Sequence, residues 1–398
     1  MKKSLWMLGV AVAALTSCTQ SEVLDVPESR TIGFDSFVGK QTRADVINDA
    51  AFNDFVVYGA KGSKSGGVFT SDASDDNTQT LATEYYLNNV HVTRTNANSA
   101  WTYSPVKEWV FGKYYRFAAY SDGHNDAATT DAAENEYAKV TFNPNFETQV
   151  KVKNDGGQYV DETVSNMWGL RFDDYTAGTN DLIAATSMER NTVSTNTGHN
   201  SVNFSFVHML AKVQFKFSYF TSDDADNTTV YILPFTLKAI KTADCDIFHY
   251  HGSNAEEMTY VNWASQFVKP TDVPTAATDV PYIVDNYQYF PGTSHTLPVE
   301  NGGQQTVQAT KMDKNTPVFY NNYVIPQCND FTISNITVLV YKGDKLSSAF
   351  EYDNISLKIE NHEYWKPGYV YRYEANLNAS KQYIEFTANV ENWIDTPD

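Results

Sequence analysis

Residues 201–220 constrain the chain more than any other stretch. Val202, Phe204 and Phe206 alternate with Asn203 and Ser205, and Val213, Phe215, Phe217 and Tyr219 alternate with Lys212, Gln214, Lys216 and Ser218. A period of two places every apolar side chain on one face of an extended strand, whereas a helix would scatter the same residues around its circumference. The segment therefore predicts two half-buried strands. His208-Met209-Leu210-Ala211 interrupts the phase, as a bulge or bend does.

The rest of the sequence repeats this rhythm less strictly. Residues 31–38, 55–60, 84–94, 114–120, 138–142 and 181–186 read as strands, and so do 230–240, 317–326, 331–341, 349–359, 369–377 and 383–390. Asn, Asp, Gly, Ser and Thr fill the intervals, as in an all-β protein. Residues 256–267 read instead as a short helix capped by Ser253 or Asn254. Residues 191–201 (NTVSTNTGHNS) have Val193 as their sole apolar residue and read as a linker, which puts a domain boundary between 195 and 196. At about 150 residues per domain, 398 residues suggest two. Without alternation of helices and strands, the expectation is two β-sandwich domains, 44–195 and 196–398.

Composition narrows the function. The 29 Lys and Arg face 48 Asp and Glu, a net charge of -19. Such a chain has no basic surplus for nucleic-acid phosphates or an anionic bilayer surface. The 26 Tyr and 23 Phe favour strands.

The N-terminus reads as an export signal. Lys2 and Lys3 precede an apolar stretch at 5–15, too short to span a bilayer. It ends in Leu15-Thr16-Ser17-Cys18, a sequence like a bacterial lipobox. Residues 1–17 are then a signal peptide, and Cys18 is the lipidated first residue of the exported protein. Acyl chains contribute about 0.8 kcal/mol per buried methylene, so two or three hold a protein on a membrane. Residues 19–30 read as a polar tether. Past Cys18 only Cys245 and Cys328 remain, which read as two buried free thiols more readily than as a disulfide.

Catalytic patterns are missing: there is no HExxH, GxSxG, GxGxxG or Walker-type loop. His249 and His251 share one strand face, but two ligands without a third read as a solvated edge rather than a metal site. Asp223, Asp224 and Asp226 lack the Gly and terminal Glu of an EF-hand loop. His208 reads as a buried histidine bonded to backbone at a bend. Trp101, Trp109, Trp168, Trp263, Trp365 and Trp393 could stack on sugars, but such residues mostly pack cores. The expectation is no enzyme, no metal and no cofactor.

Several short motifs occur in a shared order. They are Cys18-Thr19-Gln20, Ile32-Gly33-Phe34, Thr42-Arg43-Ala44, Trp101-Thr102-Tyr103, Phe117-Ala118-Ala119-Tyr120, Asp181-Leu182-Ile183-Ala184-Ala185 and 206–213 (FVHMLAKV), followed by Tyr323-Val324-Ile325-Pro326-Gln327, Trp365-Lys366-Pro367-Gly368-Tyr369 and 386–390 (FTANV) with Trp393. In these the chain resembles the fimbrillin family of type V pili, in its Mfa-like branch. The resemblance implies an all-β protein of two tandem transthyretin-like β-sandwich domains. It implies a lipidated precursor carried to the outer membrane and the surface fimbriae, with other pilus subunits as partners. It also implies cleavage by an Arg-specific protease, and the matching bond joins Arg43 to Ala44. Residues 18–43 would then be a tether and propeptide with a removable first strand, and Arg43 is preferred to Arg30 because Arg30 precedes that strand. The groove left behind would be filled by a strand of the next subunit.

Ile384, Phe386, Ala388 and Val390 share one face of the last strand. Ile384, Phe386 and Val390 are therefore candidate donor residues, the alternative being a permanent core strand. The competing function is a monomeric surface lipoprotein of the same fold that binds a glycan or host ligand.

Overall fold

The computed structural model describes residues 31–38, 52–72, 85–96, 98–122, 139–153, 159–178, 180–192, 201–220, 227–250, 258–268, 282–289, 292–299, 302–312, 317–328, 332–359, 362, 364–378 and 386–392. The described residues contain strands and no helix. In chain order the strands are β1 (Phe34–Val38), β2 (Asp54–Ser65), β3 (Val68–Ser71), β4 (Leu87–Thr93), β5 (Thr102–Tyr103), β6 (Tyr114–Ser121), β7 (Lys139–Lys153), β8 (Tyr159–Thr176), β9 (Ile183–Thr186), β10 (Arg190–Asn191), β11 (Val202–His208) and β12 (Ala211–Phe220). There follow β13 (Thr228–Ile232), β14 (Phe235–Tyr250), β15 (Met258–Trp263), β16 (Tyr282–Tyr289), β17 (Thr293–Pro298), β18 (Gln304–Met312), β19 (Val318–Val324), β20 (Thr332–Lys342), β21 (Lys345–Ser356), β22 (Tyr369–Asn378) and β23 (Phe386–Asn392).

They form four sheets. The largest runs β1-β11-β9-β6-β2-β4-β5, with β10 on β6 and β3 on β2. One face of it encloses an aromatic core of Phe55, Phe117, Phe204 and Phe206. Its other face, through Val56, Tyr58, Ala118 and Ala184, packs on the sheet β15-β14-β8-β7, which supplies Leu170, Phe172, Ile247 and Trp263. Strands β2 and β6 are thus buried on both faces, and for this reason Phe55–Ala60 and Phe117–Tyr120 read as unbroken apolar runs rather than alternating ones. The sheets β19-β12-β22-β23 and β17-β18-β13-β20-β21 enclose the third core, where Phe215, Phe217, Tyr371, Tyr373 and Trp365 meet Val230, Ile336 and Val338.

Two elements tie the cores together. His208-Met209-Leu210-Ala211 carries the chain from the large sheet into the third-core sheet. Met209 and Leu210 are fully buried, and their backbones bond Leu182 and Gly368. The phase break is therefore a change of sheet. Strand β14 sends Phe235, Leu237 and Ala239 into the third core and Ile240, Ala243, Cys245 and Ile247 into the middle one. Register shifts between Ile240 and Thr242 and between Ala243 and Cys245 re-aim the side chains. Pairing crosses the 195–196 position in both directions: β11 bonds β9 and β1, and β14 bonds β8.

The expected helix at 256–267 is corrected. Met258–Trp263 is β15, paired antiparallel with β14 from Cys245↔Trp263 to Tyr250↔Met258. Trp263 is buried, and its indole N–H donates to the Met209 carbonyl at 2.7 Å. The β14 edge and this pocket override a weak local helical preference.

Candidate assembly site

Among the described residues, strand β1 occupies the edge of the large sheet and has β11 as its one partner. The pairing is parallel, Phe34↔Val202 to Val38↔Phe206, and the Val202 N–H donates to the Gly33 carbonyl at 2.8 Å. Ile32 is fully buried and Phe34 nearly so, while Asp35 is exposed. The Phe34 ring meets Tyr103 at 5.2 Å, Phe204 at 5.9 Å, Phe117 at 6.3 Å and Phe55 at 6.4 Å. Its four ring neighbours come from β2, β5, β6 and β11, so one side chain of an edge strand caps the whole aromatic core.

The start of this segment is clamped by the loop after β5. The Ile32 N–H donates to the Lys107 carbonyl at 2.9 Å, the Tyr103 hydroxyl donates to the Ile32 carbonyl at 2.8 Å, and Thr31 bridges Glu108. Burial raises the Tyr103 phenol above its ordinary pKa, and its bond with Lys107 opposes that shift. Tyr103 was visible in sequence only as part of Trp101-Thr102-Tyr103. Nothing local marks it as the partner of a residue 71 positions earlier.

At the other end of the chain, β23 occupies the edge of its sheet and pairs antiparallel with β22, from Tyr369↔Asn392 to Ala375↔Phe386. Ala388 and Val390 pack against the third core, whereas Thr387 and Asn389 are exposed. Cys18, Arg30, Arg43, Ala44, Asp223, Asp224, Asp226, His251, Ile384 and Trp393 lie outside the described residues.

The other weighed residues fall in or beside the cores. Trp109 belongs to the first core, Trp168 and Trp263 to the second and Trp365 to the third. Trp101 packs on the first core with the Arg94 guanidinium 4.3 Å above its ring. These tryptophans form no common platform. His249 is no solvated edge residue: it is buried and stacked 4.2 Å from Trp168. His208 has a carboxylate partner that its sequence context did not suggest, its Nδ1 lying 2.5 Å from Asp181 Oδ2. Cys245 and Cys328 are free thiols; Cys245 is buried and Cys328 partly so.

One buried cation stiffens this region. Arg116, on β6, donates to Glu189 at 2.8 Å, to the Pro144 carbonyl at 2.8 Å and to Asn166 at 3.0 Å. Its guanidinium lies between Phe69 and Trp168, 4.5 and 4.6 Å from their centroids. Burial lowers its pKa, and Glu189 opposes the shift.

The all-β fold is shared with a solved fimbrial protein. A crystal structure of a fimbrial protein from Bacteroides vulgatus ATCC 8482 superposes with a TM-score of 0.51 at 16% identity, over 92% of this chain and 100% of that one. The fimbrial anchor protein Mfa2 from Porphyromonas gingivalis aligns over 92% of this chain and 98% of its own, with 11% identity and a TM-score of 0.28. No protein-family profile and no curated protein sequence matches the chain.

Proposed function

We propose that the chain is a structural or adhesive subunit of surface fimbriae, without enzymatic activity. The observation that carries this reading is β1: an edge strand whose single partner among the described residues is β11, whose Phe34 packs into an aromatic core, and which is followed in sequence by Arg43. Cleavage after Arg43 frees Ile32 and Phe34 to leave. The β11 edge and the apolar side chains beneath it would then be open to a strand from a neighbouring subunit. Before cleavage β1 blocks that edge and keeps the precursor monomeric.

Cys18 carries the lipid that takes the precursor to the outer membrane and the cell surface. The chain divides into 44–195 and 196–398, two transthyretin-like sandwiches joined through β11 and β14. N-terminal sequencing of the surface protein tests the maturation step. A start at Ala44 in the wild type, lost in Arg43→Ala and kept in Arg30→Ala, is the expected result. Unchanged maturation of Arg43→Ala refutes the assignment.

A further inference from the structure

Seven large apolar side chains lie exposed among the described residues, and three of them share the loop between β5 and β6. They are Val106, Val110 and Phe111, 56%, 39% and 61% exposed. The loop is held firmly from beneath. Trp109 is buried in the first core, the Val110 N–H donates to the Tyr115 hydroxyl at 2.6 Å, and the Gly112 N–H donates to the Thr192 carbonyl at 3.2 Å. With Trp109 turned inward as an anchor, Val110 and Phe111 are left facing water at fixed positions. Apolar groups grouped and held in this way mark a binding surface whose ordering cost is already met.

The chain that enters the fold meets this same loop. Thr31 bridges Glu108, and the Ile32 N–H donates to the Lys107 carbonyl at 2.9 Å. Thirteen residues, 18–30, separate that contact from the start of the exported chain at Cys18. A link of this length reaches about 45 Å at most. Acyl chains on Cys18 therefore keep the loop within that distance of the bilayer they enter, at a local concentration on the order of millimolar.

We infer that the loop at 104–113 is a membrane seat: in the lipidated precursor, Val106, Val110 and Phe111 enter the interface of the bilayer that holds the Cys18 lipid. The inference takes the acyl chains from the lipoprotein reading above and adds a second contact made by the protein itself. A net charge of -19 opposes an anionic surface, so the contact is apolar and suits a zwitterionic one. Cleavage after Arg43 would take away Thr31 and Ile32 along with the acyl chains, and the mature chain would lose its anchor and its seat in one step.

The test uses the exported chain, residues 18–398, coupled through the Cys18 thiol to a maleimide lipid in phosphatidylcholine vesicles. Cys328→Ser leaves buried Cys245 as the other thiol. Phe111→Trp is compared with Phe319→Trp, a residue 52% exposed on β19. The added fluorescence of Phe111→Trp should shift to the blue on coupling and be quenched by bromine on the acyl chains, and that of Phe319→Trp should do neither. Both effects should vanish once the 18–43 fragment is cut off and removed, and their persistence would refute the release. No quenching at 111, or equal quenching at 111 and 319, overturns the inference. Uptake of labelled fatty acid at Cys18 is measured separately in cells. Its absence refutes the lipoprotein reading and the seat with it, whereas uptake with no quenching at 111 refutes the seat alone.

Discussion

Phe34 and Phe204 lie stacked on neighbouring strands, ring centroids 5.9 Å apart and planes 20° from parallel. One belongs to the strand expected to leave and the other to the strand that stays. In the intact chain Phe34→Ala should cost about 3–5 kcal/mol in chemical denaturation, as a buried phenylalanine deletion does. After cleavage and removal of the 18–43 fragment, the same variant should unfold like the wild type. A persistent difference would mean that Phe34 acts on something other than the precursor.

Arg116→Ala should be more damaging than an average substitution. It removes a buried cation that Glu189, Pro144 and Asn166 all bond, and leaves Glu189 with Lys64 alone as an ion-pair partner among the described residues. Breaking such a buried pair from one side costs about 3–5 kcal/mol. Thermal unfolding measures it, and a loss below about 1 kcal/mol would contradict the packing described.

Gly169→Ala tests the seam between β8 and β14. A Cβ at this position would lie 1.8 Å from the Ile247 carbonyl oxygen, on the paired strand. Backbone cannot rotate away as a side chain can, so the ladder must part locally. The expected loss exceeds about 3 kcal/mol, with a lowered melting temperature. Gly66→Ala, in the open β2–β3 turn, meets no atom within 4 Å and carries only the cost of its positive φ of 59°.

Alkaline pH should unfold the third core. Burial pushes the phenols of Tyr371 and Tyr373 well above the ordinary value of 10.0, against the bonds they make with Lys366 and Trp365. The unfolded chain ionises at the ordinary value while the folded chain resists. Stability from these groups is therefore complete below about pH 10 and is lost as pH rises toward the raised folded values. Phenolate absorbance for these residues should appear together with the loss of circular dichroism. A gradual titration in a folded protein would refute it.

Where local pattern and tertiary environment agree, the fold was legible. Val202 to Tyr219 alternate because one face of β11 and β12 is buried and the other is wet. Where they disagree, it was not. Residues 258–263 have no strong period of their own and became a strand because β14 offered an edge and Trp263 a pocket. The neighbour of Phe34 along the sheet lies at Val202, and no short-range signal spans that separation. Of the candidate assembly site, residues 31–38 and 383–390 were legible as short apolar runs. The Tyr103 clamp became meaningful only once β1 was seen at a sheet edge.

Strand β14 contributes to two cores along one unbroken backbone. A filament subunit is loaded end to end by the drag on everything beyond it. In a pair of domains strung on a loose tether, that load would fall on the tether and then peel each domain in turn. Here tension entering one core reaches the next through a continuous strand held in shear by β8 on one flank and by β15 and β16 on the other. The chain, if it serves in the filament proposed above, is in this respect a single mechanical link.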